Sequence, residues 1–119
     1  MSAWLAAFVF TQVIEVPIYA HALRRSERDE PAALASWPAA LAVAFAASAI
    51  THPVVWFVMP QLVPERYLLM VGAAEAFAVL VEAVWLRAFG LRPALLWALF
   101  ANATSLTVGL ASRRMFGWP

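Results

Sequence analysis

The sequence has no cysteine, no lysine and only four glycines, and charged residues make up 13% of it. Without cysteine, disulfides, thiolate metal centres and thiol redox chemistry are excluded. The formal net charge is +1, so the basic footprint of a nucleic-acid binder is missing and no nucleic-acid partner is expected. Every one of the eight basic residues is arginine; together with the abundance of alanine this points to a GC-rich bacterial genome. What fills the chain instead is apolar. Of 119 residues 65% are hydrophobic, and the mean hydropathy is +0.79. Soluble domains carry about 45–50% apolar residues, and one of this size could not hide the excess. Lipid as the outer solvent removes the difficulty.

A membrane-spanning helix needs about 20 mostly apolar residues. Four segments meet that requirement, at about 3–23, 35–59, 67–89 and 94–112. They predict an all-α, integral membrane, four-helix antiparallel bundle occupying residues 1–119 as a single transmembrane domain, because the connections are short. The first segment has no basic flank and no convincing cleavage site, so it is expected to be a mature span and not a signal peptide. Pro60 and Pro64 are expected to end the second helix. Gly90 suits a helix C-terminus and Pro93 a first turn. Arg24, Arg25, Arg28, Arg87 and Arg92 fall on one membrane face, against Arg66, Arg113 and Arg114 on the other. That asymmetry favours both termini outside, in a bacterial cytoplasmic (inner) membrane.

The polar residues inside these spans are few, and each helix gathers them on one stripe, since positions three, four and seven apart share a face. Gln12, Glu15 and Tyr19 form such a stripe in the first helix. Ser48 and His52 do so in the second, Glu75 and Glu82 in the third, and Asn102 and Ser105, with Gly109, in the fourth. Four stripes facing one another place these side chains inside the bundle and the apolar surfaces toward lipid. Counting a rise of about 1.5 Å per residue predicts two layers. Glu15 is expected near Glu82, and His52 near Glu75, with Asn102 and Ser105 beside them.

Three carboxylates and one imidazole at membrane depth, with no Arg or Lys among them, demand an explanation. One charge at the bilayer centre costs about 2.5–3.5 kcal/mol on insertion scales, so three would cost on the order of 8–10 kcal/mol. The available remedies are a protonated glutamate, a bound cation or a hydrated cavity. Pro17 and Pro53 free the carbonyls of Val13 and Ala49, and broken backbone at this depth is tolerated where it is buried in protein or lines a wet cavity. His52, which precedes proline, is pushed away from helical geometry.

Plainer roles compete with each of these. Glu15 could be interhelical glue bonded to Gln12, Tyr19 or Asn102, and Asn102 and Ser105 could be glue as well. Ala40, Ala44 and Ser48 form a small-residue packing stripe, and Gly72 and Gly109 suggest close helix approach. Tyr19 reads as an interfacial anchor, and His21 with the RRSERDE turn as solvated interface. For a metal, di-iron bundles want Glu-x-x-His pairs that this chain lacks. A single divalent metal such as Zn²⁺ or Mn²⁺, held by His52, Glu75 and Glu82, is the form such a cofactor would take.

A glutamate midway along the first of four helices, Glu15, is similar to the arrangement in the small multidrug resistance transporters. That resemblance implies a dimer in which Glu15 couples proton exchange to cationic substrates. The segments TQVIEVPIY, THPVVWFV, LVEAVW and ANATS resemble more closely a group of small, uncharacterised four-span prokaryotic membrane proteins, and single out Glu15, Pro17, His52, Pro53, Glu82 and Asn102. The expectation is therefore a small polytopic protein whose buried Glu/His/Asn site binds a proton or cation, in transport or ligand binding. Its partners would be membrane lipid and a second copy or another membrane subunit. The alternatives are a metal-assisted enzyme acting on a lipid-soluble substrate, and a structural subunit without chemistry of its own.

Overall fold

Four long helices run through the computed structural model, which describes residues 2–26 and 30–118. They are α1 (Ala3–Arg24), α2 (Trp37–Leu62), α3 (Tyr67–Ala88) and α4 (Ala94–Phe116), each long and apolar enough to cross a membrane. Arg28 and part of the RRSERDE turn lie outside the described residues. Helix starts follow from local chemistry. The Ser2 hydroxyl accepts from the Leu5 N–H at 3.2 Å and the Ser36 hydroxyl from the Ala39 N–H at 3.3 Å, each satisfying a donor that the first turn leaves free. The α3–α4 turn follows from Gly90, whose φ of +93° disfavours other residues. Gly90 donates to the Arg87 carbonyl at 3.0 Å and Leu91 to that of Leu86 at 3.1 Å, which closes the helix in a Schellman motif.

The second helix departs from expectation. His52 stays helical, and Pro53 ends the regular α segment without breaking the helix. Val54 donates back to Thr51, and residues Val54–Val58 form a π turn before a last α turn, Met59–Leu62. A π turn is wider than an α turn and carries i→i+5 bonds. It absorbs both the N–H missing at Pro53 and the ring of Pro60, so the helix ends ahead of Pro64 instead of at Pro60.

The helices form a ring in which α1 and α3 each pack against α2 and α4. Glu15 on α1 and Glu82 on α3 therefore come from diagonally opposed helices. The core between them is built from alanine, with Ala20, Ala40, Ala44, Ala98 and Ala101 almost wholly buried around Tyr19, Leu23 and Leu86. Small side chains let helix backbones approach closely, which is how helices associate in lipid. Large apolar side chains such as Val13, Leu68, Leu80, Val84, Leu96 and Phe100 point outward. A surface this apolar suits hydrocarbon and not water. The long dimension of 48 Å matches a bilayer of about 40–45 Å including headgroups. The protein is a multi-pass membrane protein with an all-α bundle fold.

Of the two helix glycines expected at close approaches, Gly109 lies against Phe10, where an added Cβ would sit 3.6 Å from the ring. Gly72 faces open space. The expectation of a close approach at Gly72 is corrected: it sits on the outward surface of α3, where no helix packs against it.

Candidate buried carboxylate site

Glu15 and Glu82 are each only 1% exposed, and every oxygen of both is hydrogen-bonded. Glu15 Oε2 accepts from the Ser48 hydroxyl, and Oε1 from the Ser105 hydroxyl at 2.6 Å. Glu82 Oε1 accepts from the Thr51 hydroxyl at 2.7 Å. Its Oε2 accepts from the Tyr19 hydroxyl and from Asn102 Nδ2, the latter at 2.7 Å. All four helices contribute, and all these partners are uncharged. Glu15, Glu82 and the less buried Glu75 line one cavity. Buried polar groups in hydrocarbon must find partners within the protein, and Ser48, Thr51, Tyr19, Asn102 and Ser105 are those partners.

The hydroxyl contacts have a further property. The Thr51 hydroxyl also stands 3.3 Å from the Ser48 carbonyl oxygen. The Ser105 hydroxyl also stands 3.1 Å from the Asn102 carbonyl oxygen. A hydroxyl carries one proton and two lone pairs and rotates to suit its surroundings. With an ionised glutamate, each hydroxyl donates to the carboxylate. With a protonated glutamate, the acid donates to the hydroxyl, which turns its own proton to the backbone carbonyl. Neither state leaves an orphan. Asn102 Nδ2 can only donate, but it has other acceptors besides Glu82, with Tyr19 Oη at 3.1 Å and the Ala98 carbonyl oxygen at 3.0 Å.

The structure thus brings together Glu15, Tyr19, Glu82, Asn102 and Ser105, as their helical stripes imply. Tyr19 is not the interfacial anchor expected of it: it is fully buried and hydrogen-bonded to Glu82, because the turn that points Glu15 inward points Tyr19 inward as well. Gln12 is buried but turned aside, its Nε2 reaching the Phe45 carbonyl oxygen at 3.4 Å and its Oε1 unpartnered. Ser48 does more than pack, since it donates to Glu15. Thr51, which donates to Glu82, is a contact that the polar stripes of the sequence do not include. It lies three residues beyond Ser48 on the buried face Ala40–Val43–Ala44–Ala47–Ser48–Thr51, a spacing readable from the sequence once Ala40 and Ala44 are taken as the inner face.

His52 is half-buried one residue around the helix from Thr51. Its ring lies 5.3 Å from that of Phe8 and 6.2 Å from those of Trp4 and Trp56, centroid to centroid, and Nδ1 has no hydrogen-bond partner. Among the described residues, no three His, Asp or Glu side chains gather closely enough to hold a metal ion.

A cavity of about 400 Å³ runs along the carboxylates. Of its lining, Glu15, Thr51, Glu82 and Asn102 are buried, Ser105, His52 and Glu75 half-buried, and Trp56, Pro60, Tyr67 and Arg113 exposed, which sets the last group at its rim. The apolar part of its wall includes Val55 of the π turn together with Met70, Val71 and Leu106.

Comparison with protein-family models, with curated proteins and with solved structures finds no match for this chain.

Proposed function

We propose that this membrane protein takes up and releases protons at the Glu15–Glu82 pair, and that this exchange serves transport or binding of a proton or cation that enters the cavity. The observation that carries the reading is the double set of hydroxyl acceptors at Thr51 and Ser105. A carboxyl group that serves only as interhelical glue needs one protonation state, and side chains fixed around that state. Here the partners of both glutamates accommodate either state without moving a helix. The absence of Arg and Lys among those partners agrees, because a cationic neighbour would hold the carboxylates ionised. Intramembrane ionisable groups facing a bundle interior mark proton relays and ion paths.

The test is proton uptake. Purified protein in unbuffered detergent solution receives an acid pulse, and a pH indicator counts the protons bound. Wild type is expected to bind more than Glu15→Gln or Glu82→Gln, with the surface carboxylates cancelling in the difference. The amide fits either site, since its NH₂ can donate to the Ser105 or Thr51 hydroxyl as the protonated acid does. Equal uptake by wild type and folded variants would overturn the reading.

A further inference from the structure

The two ends of the bundle offer different access to the carboxylate pair. Toward the end formed by the α2–α3 turn and the C-terminus, the cavity continues past Glu75 to a rim at Pro60, Tyr67 and Arg113. A second opening, about 200 Å³ and lined by Thr11, Trp56, Glu75, Ser105 and Arg113 among others, reaches the same inner wall from that same end. Toward the other end, formed by the α1–α2 loop and the α3–α4 turn, Tyr19, Leu23, Leu86 and Ala98 are all fully buried. They form a packed layer across the bundle. The cavity beyond it, about 490 Å³ and lined by Ala22, Gly90, Leu91 and Trp97 among others, touches none of the three carboxylates.

We propose that the described residues open the Glu15–Glu82 pair to one membrane face only, through the cavity that opens between Tyr67 and Arg113, and that Glu75 is the station at which protons or cations pause between rim and pair. The inference rests on the proton-exchange reading for the role of Glu75, but not for the path itself. Glu75 lies two turns from Glu82 on the same stripe, roughly 10 Å along the axis at ~1.5 Å per residue. That is too far for direct transfer, and a cavity of this size, with Thr51, Asn102, Ser105 and the carboxylates in its otherwise apolar wall, has room for bridging water. The Tyr19 layer is the barrier, and it is tied to the site, since the Tyr19 hydroxyl bonds Glu82 itself.

The chain has no cysteine, so single thiols can report access without further engineering. Val71→Cys and Leu106→Cys place thiols in the cavity wall. Trp118→Cys marks the C-terminal face and Ser26→Cys the opposite face. Each variant is exposed to a membrane-impermeant thiol reagent in spheroplasts and in inverted vesicles, after its folding is checked by circular dichroism. The expected result is that the two cavity thiols react in whichever preparation labels Trp118→Cys, with loss of labelling in the one that labels Ser26→Cys. Cavity thiols that react from the Ser26 face, from both faces equally, or from neither while the markers react would overturn the path. For the station, Glu75→Gln is expected to slow proton uptake after an acid pulse while thiol labelling persists, and an unchanged uptake rate would overturn it. If labelling is one-sided but Glu15→Gln and Glu82→Gln bind as many protons as wild type, the path stands and the proton-exchange reading fails.

Discussion

The same four helices make a closed half and an open half. In the closed half, between the carboxylates and the α3–α4 turn, Tyr19, Leu23, Leu86, Leu91, Ala94 and Ala98 interlock with at most 7% exposure, and the turn itself is pinned by three backbone hydrogen bonds. In the open half, α2 widens into its π turn and Glu75 and His52 line a cavity. The difference comes from a few residues. Alanine and leucine at helical spacing draw the backbones together at one end. Pro53 and Pro60 loosen one helix at the other, in keeping with the tendency of π turns to sit at functional sites.

The contrast can be broken most forcefully in the closed half. Leu23→Ala should cost at least about 2 kcal/mol, as cavity-forming substitutions in packed cores do. Val71→Ala in the open half should change stability by no more than about 0.5 kcal/mol. Denaturant titration in detergent micelles, followed by circular dichroism, measures both, and equal losses would erase the distinction between the halves.

At the junction of the halves, Glu82→Leu should cost about 1–3 kcal/mol, because the Tyr19 O–H loses its acceptor and keeps only the bond its oxygen accepts from Asn102. Thr51 and Asn102 have the Ser48 and Ala98 carbonyls to fall back on, whereas Tyr19 donates only to Glu82. The double variant Glu82→Leu with Tyr19→Phe should therefore recover most of the loss, and the same titration shows whether it does.

The layout of this junction is largely legible in the sequence. Glu15, Tyr19, Glu82, Asn102 and Ser105 meet as their spacing implies, because in lipid a helix with one polar stripe has only one place to put it. Tyr19 was harder to read, since an aromatic near a span end belongs at an interface on average, and only its spacing from Glu15 argues otherwise. The course of α2 was hidden for a different reason. Proline predicts a break, but hydrocarbon punishes a break more than a widened turn, since every freed N–H and C=O must find a partner within the protein. Thr51 was obscured by His52, the more conspicuous neighbour, although Thr51 shares the face of Ala44, Ala47 and Ser48.

Smaller effects sharpen the same contrast. Gly90→Ala should destabilise the closed end by about 1 kcal/mol, because alanine resists the positive φ of that turn. Gly72→Ala, mid-helix and facing open space, should stabilise by about 0.5–1 kcal/mol. Thermal melts of the two variants side by side should move in opposite directions.

The central claim is that the glutamate pair accepts both protonation states, and infrared difference spectroscopy on a pH titration reads this directly. The wild type should show a carboxylic-acid C=O band that appears and disappears reversibly with pH, and the Glu15→Gln/Glu82→Gln variant should lose much of it, leaving what Glu75 contributes. A band undiminished in that variant, or no titrating band in the wild type, would contradict the account and leave Glu15 and Glu82 as fixed structural contacts.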